Sequence, residues 1–400
     1  MANREKMLLL LKDRVFLKML LIKIFTGNSI ILSIRILYMI KFGILAPDVS
    51  FLKAIFSISV ALFEVPAGVF ADRMGKKNSL IISSVFSVAH AVVYLLSPNY
   101  AGFIVVQILL ALSSSFRSGT DIAYIKNYVD KKSEYNFTDF QGEIIKFSKY
   151  ASAILSIASS AIFVINFRLN FILLSIFGVI SLFASLKLPR DNFHIKIERI
   201  SVLSLCKKYI VESVRDIIKN KPFLFFILIT SVNFSFLIFN FEYYQFFLKE
   251  LGFPVKFNGI LYFSFMLLMA VGVNITKKLK KKHSPRKIYT LYTIALISSY
   301  LLIASNASVV FLILAITIQQ ISFGGWHLLL DAVLVEESTD DRICTMASVN
   351  NLFINLTKSI VVISLGLIMS FTGILTVYII MSVILLTLIM YLNCRNTGQK

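Results

Sequence analysis

The chain has 400 residues, of which 57% are hydrophobic, 36 are Phe and only 16% are charged, against about 25% charged in soluble domains. Its mean hydropathy is +0.80, so a water-soluble surface cannot be assembled from it, which excludes a soluble enzyme. The 41 Lys and Arg outnumber the 21 Asp and Glu to give a formal charge of +20, a balance that points to nucleic acid in a soluble protein and to loop orientation in a membrane protein.

Apolar runs of about 18 residues or more read as membrane-spanning helices. In chain order they fall at 17–40, 50–70, 78–97, 101–125, 144–166, 169–187, 222–247, 257–276, 288–305, 308–333, 345–369 and 372–392. The predicted fold class is therefore an all-α membrane protein with twelve transmembrane helices. Twelve spans of about 22 residues use roughly 264 residues and leave about 136 for loops and termini. Of the basic residues, 32 lie on the side of the N-terminus, only Lys41, Lys53, Arg168, Lys249 and Lys256 on the other, and Lys23, Arg35, Arg117 and Lys358 inside spans. That asymmetry places both termini in the cytoplasm of a plasma (inner) membrane protein. The excess charge then contacts anionic headgroups of the lipid bilayer, and no nucleic acid partner is expected.

The N-terminal Leu run 8–11 is broken by Lys12, Asp13 and Arg14, too short and wrongly flanked for a cleaved signal peptide. Cys206, Cys344 and Cys394 fall in or beside cytoplasmic segments. They read as free thiols without zinc-ligand spacing, and neither metal nor cofactor is expected.

The longest connection separates an N-terminal six-helix bundle, 1–187, from a C-terminal one, 222–400. Within the linker 188–221, Leu203, Ile210, Val214 and Ile217 share a helical face, which describes an amphipathic helix on the inner leaflet or a partner-binding surface. The halves resemble each other at an offset of about 205 residues. Asn28 and Arg35 are seven apart in the first span, as are Asn233 and Asn240 in the seventh. Gly68, Asp72, Arg73, Gly75, Lys76 and Lys77 are followed 204 residues later by Gly272, Thr276, Lys277, Lys278, Leu279, Lys280 and Lys281, a copy that keeps the bases and loses the acid and the turn glycine. Such duplication marks secondary transporters, with the substrate site near the midplane between repeats.

The segment Phe63–Lys77 reads FEVPAGVFADRMGKK. Gly68 suits close helix approach, Gly75 a tight turn, and Asp72, Arg73, Lys76 and Lys77 a charge network at the membrane face. The pattern resembles the motif between helices 2 and 3 of the major facilitator superfamily, in the version with Glu-x-Pro-x-Gly in helix 2. FRSGTDIAY at 116–124 and DRICTMASV at 341–349 are also similar to members of that superfamily. The resemblance implies two pseudo-symmetric six-helix bundles, a cavity lined by helices 1, 4, 7 and 10, and a motif that stabilises the outward-facing state by linking helix 2 to helices 4 and 11. Positive-inside anchoring is the other reading of Lys76 and Lys77. The chain departs from the superfamily's drug antiporters, with Gln107 at the helix 4 Arg position and a fifth span, SKYASAILSIASSAIFVI, free of Gly and Pro.

A charge at a bilayer centre costs on the order of 3 kcal/mol, so each buried one needs a partner, a cavity or a route to the interface. Arg35 lines a cavity or snorkels outward. In the fourth span Ser114, Arg117 and Asp121 share one face by their three- and four-residue spacings. In the tenth, Gln320, Gly324, His327 and Asp331 fall within about 60° of one another. In the seventh, Glu242 lies on a different face from Asn233 and Asn240; cap or loop placement is the other reading of Glu242 and Asp331. Glu64 lies about 12 Å before Asp72 and Arg117 about 14 Å before Lys126 along their helices. Equal depth predicts a Glu64–Arg117 ion pair, static or switching, with Asp121 left to Arg73 or Lys76. Lys358, about 20 Å deep on a face with Ser348, Asn351 and Asn355, calls for Glu64, Glu242 or Asp331.

A His four residues from an Asp suits a proton relay, so His327 and Asp331 are the first coupling candidates, followed by Glu242 and Asp121. A packed cavity histidine is the other reading of His327, and His90 reads as structural. Buried charges number four of each sign and favour neither anionic nor cationic cargo. The expectation is a monomeric secondary transporter that moves a small organic solute by alternating access, with proton-coupled efflux. Uptake symport, uniport and a non-transporting receptor or scaffold are the alternatives. The sequence carries no Walker loop, zinc-ligand cluster or nucleophile elbow, so no enzyme is expected.

Overall fold

The structure, a computed structural model, describes residues 10–27, 30–132, 137–190, 215, 221–305, 308–337 and 343–397. The described residues form α1 (Arg14–Phe25), α2 (Arg35–Lys41), α3 (Ala46–Met74), α4 (Lys76–Leu96), α5 (Tyr100–Arg117), α6 (Thr120–Asp130), α7 (Phe137–Leu186), α8 (Lys221–Glu250), α9 (Asn258–Leu279), α10 (Pro285–Ser305), α11 (Val309–Glu337), α12 (Ile343–Thr372) and α13 (Ile374–Thr397). Among them, eight stretches are long and apolar enough to cross a membrane by length and composition. Large apolar side chains such as Ile165 and Phe371 are left 82% and 85% exposed, as befits helices whose outer faces meet lipid rather than water.

Two expected spans are broken. α1 starts at Asp13, whose carboxylate accepts from the Val15 amide at 2.7 Å and the Phe16 amide at 3.1 Å, the role of an N-cap. It ends at Phe25, because Thr26 is extended and Gly27 has φ 94°, a conformation that favours glycine. The chain resumes helix only at Arg35. The fourth span breaks likewise at Ser118 and Gly119, where φ is 71°. α7 has its break where two spans were expected to meet. Asn166 is extended (φ −154°, ψ 105°) and its side chain accepts from the Arg168 amide at 3.0 Å, so it caps the returning helix.

The chain divides into two compact units. The first gathers the described residues of Met1–Ile44, Ile55–Lys207 and Val255–Ile260. At one end its core packs Phe16, Met19, Tyr124, Val129 and Phe140; elsewhere Tyr38 sits on Phe171 with ring centroids 3.8 Å apart and donates to the Tyr94 carbonyl at 2.7 Å. α4 meets α5 through reciprocal serines: Ser83 donates to the Ser113 carbonyl at 2.7 Å and Ser113 to the Ser83 carbonyl at 2.9 Å. Small hydroxyl residues let helices approach closely while satisfying their own polar atoms in an apolar medium.

The second unit gathers the described residues of Leu45–Ala54, Lys208–Pro254 and Leu261–Lys400. Its core includes Ile229, Ile288, Tyr289, Trp326 and Leu329. α9 crosses α11 glycine against backbone: an added Cβ at Gly272 falls 1.9 Å from the Ile321 carbonyl oxygen, and one at Gly324 falls 2.0 Å from that of Met269. Only a residue without a side chain fits at either position.

Candidate functional site

In the first unit the two helix breaks meet. Arg117, the last residue of α5, donates to the Thr26 carbonyl at 3.1 Å, so a guanidinium holds the negative end of α1. The Thr26 hydroxyl pairs with Ser181 at 2.7 Å, Ser181 with Ser84 at 3.0 Å, and Ser87 accepts from the Gly27 amide at 3.0 Å. A broken helix inside a membrane needs such partners for its freed backbone groups.

Charges surround the same place. Lys23 on α1 forms an ion pair of 2.7 Å with Asp121 in the first turn of α6. Glu64 accepts from the Ser118 hydroxyl at 3.4 Å, within the second break. Pro66 in α3 has no amide, which leaves the carbonyl four residues earlier without its helical donor.

These contacts correct several expectations. Asn28 lies outside the described residues, and the break between α1 and α2 removes the continuous helix that was to align it with Arg35; Arg35 itself is buried. The turn at Gly119 separates Arg117 from the helix of Asp121, so Ser114, Arg117 and Asp121 do not lie on one helical face and depth counted along that helix fails. Arg117 reaches the Thr26 carbonyl instead of forming the expected ion pair with Glu64, and Asp121 pairs with Lys23 rather than with Arg73 or Lys76. Gly75 makes its turn, with φ 93°. Around Gly68 an added Cβ meets nothing within 4 Å, so close helix approach is not what this glycine provides here. Asp72 and Arg73 are exposed, Lys77 is half-buried, and Lys76 is buried and donates to the Ala123 carbonyl at 3.4 Å.

In the second unit the polar interior is mostly uncharged. Asn240 donates to Gln319 and accepts from the Tyr378 hydroxyl, and Gln319 donates to Ser299 at 3.1 Å. Asn233 donates to the Tyr289 hydroxyl at 2.7 Å. Gln319, not the expected Gln320, joins the network. The Gln320 and Asn233 amide oxygens are buried without a hydrogen bond among the described residues. Glu242 is buried and paired with Lys53 at 2.6 Å. Its neighbour Tyr243 hydrogen-bonds Ser50 at 2.6 Å and donates to the Ala46 carbonyl. Lys358 is buried and donates to Asn355 Oδ1 at 2.7 Å. The side chains of His327 and Asp331 lie outside the described residues, as do residues 203–214 and 217 of the expected linker helix. His90 is fully buried with Nδ1 3.3 Å from the Phe86 carbonyl.

Several site residues escaped sequence reasoning. Lys53 counts there as a loop base because it stands near a span end, and Thr26, Gln319 and Tyr378 carry no charge to draw notice. Ser79, Ser83 and Ser87 did leave a signal, a four-residue spacing on one helical face.

A family model described as Major Facilitator Superfamily matches residues 19–325. The "Uncharacterized MFS-type transporter YxaM" of Bacillus subtilis (strain 168) is 26% identical over 263 residues, 62% of this chain and 63% of that protein, so the match spans less than two thirds of the relative. Among solved structures, the nucleoside transporter NupG has a TM-score of 0.75 at 15% identity, covering 94% of this chain and 96% of that one. A POT family transporter in complex with a thioalcohol-conjugated peptide has a TM-score of 0.76 at 15% identity, covering 96% of each chain. A D-xylose-proton symporter has a TM-score of 0.65 at 13% identity, covering 95% of this chain and 97% of that one. The likeness to these structures is one of fold.

Proposed function

The chain belongs to the Major Facilitator Superfamily, a family of multi-pass membrane transporters, and we propose that it carries a small organic solute outward by alternating access in exchange for protons. The observation that carries this reading is the broken first span, where Arg117 holds the Thr26 carbonyl and Ser87 the Gly27 amide beside the Lys23–Asp121 pair. Discontinuous helices and ionisable groups inside a membrane mark substrate and ion pathways.

In this reading twelve spans form two six-helix bundles, 1–187 and 222–400, joined by the linker 188–221. Both termini face the cytoplasm of the plasma membrane, and the transporter acts as a monomer. Asp72, Arg73, Gly75, Lys76 and Lys77 stabilise the outward-facing state. Glu64, Pro66 and Gly68 supply the Glu-x-Pro-x-Gly helix that supports the efflux direction. His327 and Asp331 are the first proton carriers. Asp121 and Glu242 follow, each a carboxylate that exchanges a lysine partner for a proton as access alternates.

Purified protein in liposomes tests the reading. Solute flux driven by an imposed pH gradient and abolished by a protonophore is the expected result; flux indifferent to the gradient overturns proton coupling. Cells expressing the protein should accumulate less of the solute, and greater accumulation overturns efflux.

A further inference from the structure

Between α9 and α10 the chain carries a dense positive charge with nothing of the opposite sign near it in sequence. From Leu251 to Leu330 there is no Asp or Glu, and within that stretch Lys277, Lys278, Lys280, Lys281, Lys282 and Lys287 are all exposed. Among the described residues no carboxylate pairs with Lys277, Lys278, Lys281, Lys282 or Lys287. The repeat-related loop of the first unit is built otherwise. It carries Asp72 among its bases and turns Lys76 inward to the Ala123 carbonyl at 3.4 Å. The later copy has kept the charge and turned these six lysines outward.

The later loop also stands on a fixed base. Thr276 is fully buried and its hydroxyl pairs with that of Tyr292 at 2.7 Å, while Tyr292 lies 3.3 Å from the Gly272 carbonyl. The end of α9 and the start of α10 are thereby clamped together. Beyond the clamp the Lys280 amide donates to the Thr276 carbonyl, and the Lys282 and His283 amides to the Leu279 carbonyl, each at 2.9 Å, so carbonyls at the helix end are satisfied within the loop.

On the sides of the two helices away from that clamp, the side chains follow one order. Lys278, Ile275 and Val271 share a stripe of α9, and Lys287, Leu291 and Ile294 share a stripe of α10. In each stripe the lysine is at the loop, and the two exposed apolar residues lead away from it into a segment long and apolar enough to cross a membrane, Val255–Leu279 or Lys287–Ser305. A soluble polyanion matches only the lysines of such a surface, and a neutral lipid only its apolar stripes. An anionic amphiphile matches both.

We infer that the α9–α10 loop binds the headgroup of an anionic phospholipid, whose acyl chains lie along Val271 and Ile275 and along Leu291 and Ile294. Each lysine near such a headgroup is worth about fivefold in affinity. Membership of a membrane family is all that this requires; neither the direction nor the coupling of transport enters it.

The full chain in neutral detergent is titrated with phosphatidylglycerol, and bound lipid is counted by native mass spectrometry. Lys278→Gln, Lys282→Gln and Lys287→Gln combined should weaken binding about a hundredfold, and Arg at the same three positions should retain it. Three exposed bases of the first unit, Lys126, Lys131 and Arg190, changed together to Gln remove equal charge and should leave binding largely intact. An equal loss in that control would reduce the loop to its share of the overall charge and overturn the inference. Phosphatidylcholine binding as tightly as phosphatidylglycerol would overturn it by removing the headgroup charge from recognition. Displacement of the lipid by an equal concentration of glycerol phosphate would do so by removing the chains.

Discussion

Each unit has a lysine–carboxylate pair, but the two hold most of their other buried polar groups by different means. In the first, the interior around α1 and α5 is ionic and interrupted: two glycine turns, a guanidinium on a helix end, and the Lys23–Asp121 pair. In the second, α8, α10, α11 and α13 share an amide–phenol network of Asn240, Gln319, Ser299 and Tyr378, and α9 crosses α11 backbone against glycine. Ions between lysine and carboxylate tolerate a change of partner, whereas fixed neutral donors and acceptors in a tight crossing hold one arrangement. The repeat-related glycines make the contrast sharpest. Gly272 leaves no room for a methyl group, and Gly68, about 204 residues earlier, is open on that side.

The largest effect is expected at that pair. Gly272→Ala drives a methyl into the Ile321 carbonyl and should cost about 3 kcal/mol, read as a lower thermal midpoint in detergent. Gly68→Ala should raise the midpoint slightly, by the helix propensity that alanine gains, about 0.5–1 kcal/mol. A fall at Gly68 as large as at Gly272 would erase the difference between the halves. Next, Asn240→Ala orphans both Gln319 and Tyr378 and should cost about 2 kcal/mol, with no dependence on salt.

Asp121→Asn should cost less, about 1–2 kcal/mol, since Lys23 keeps 31% of its side chain exposed and solvent screens part of the attraction. Unlike the Asn240 effect, this one should shrink as ionic strength rises. A salt-independent loss at Asp121 would place both interiors in one class.

The smallest effect concerns the cap of α1. Burial raises the Asp13 carboxyl, but hydrogen bonds from Tyr128, the Phe16 and Val15 amides and Lys132 outweigh it and hold the group below its ordinary value. A depressed carboxylate contributes stability above its unfolded-state pKa and loses it as pH falls through the folded value. Asp13→Ala should therefore cost about 1 kcal/mol at pH 7, and the gap to the unmodified chain should close below about pH 4. An equal gap at pH 3 and pH 7 would show that charge at Asp13 is irrelevant.

Much of the helical framework was legible because apolar runs of membrane length have few other uses. The break at Asn166 falls where two such runs meet. The breaks at Gly27 and Gly119 were not legible, since a single glycine inside an apolar run is ordinarily carried within a helix. Which charges meet was not legible either. Lys23 and Asp121 belong to different helices, as do Lys53 and Glu242, and helix rotation is set by packing, as at Ser83–Ser113 or Phe16–Phe140. Depth along one chain segment says how far a residue lies from a membrane face, not which way it points.

The break after Phe25 also bears on how the chain enters the bilayer. α1 has 12 residues and α2 has 7, about 18 and 10 Å of helix against a hydrocarbon core of about 30 Å. Neither piece crosses alone, yet the whole run 17–40 is apolar enough for an insertion machinery to accept as one continuous segment. Ser87 and Arg117, which hold the Gly27 amide and the Thr26 carbonyl, come from α4 and α5, which are synthesised later. The first segment therefore depends on later-synthesised neighbours for the partners of its interrupted backbone.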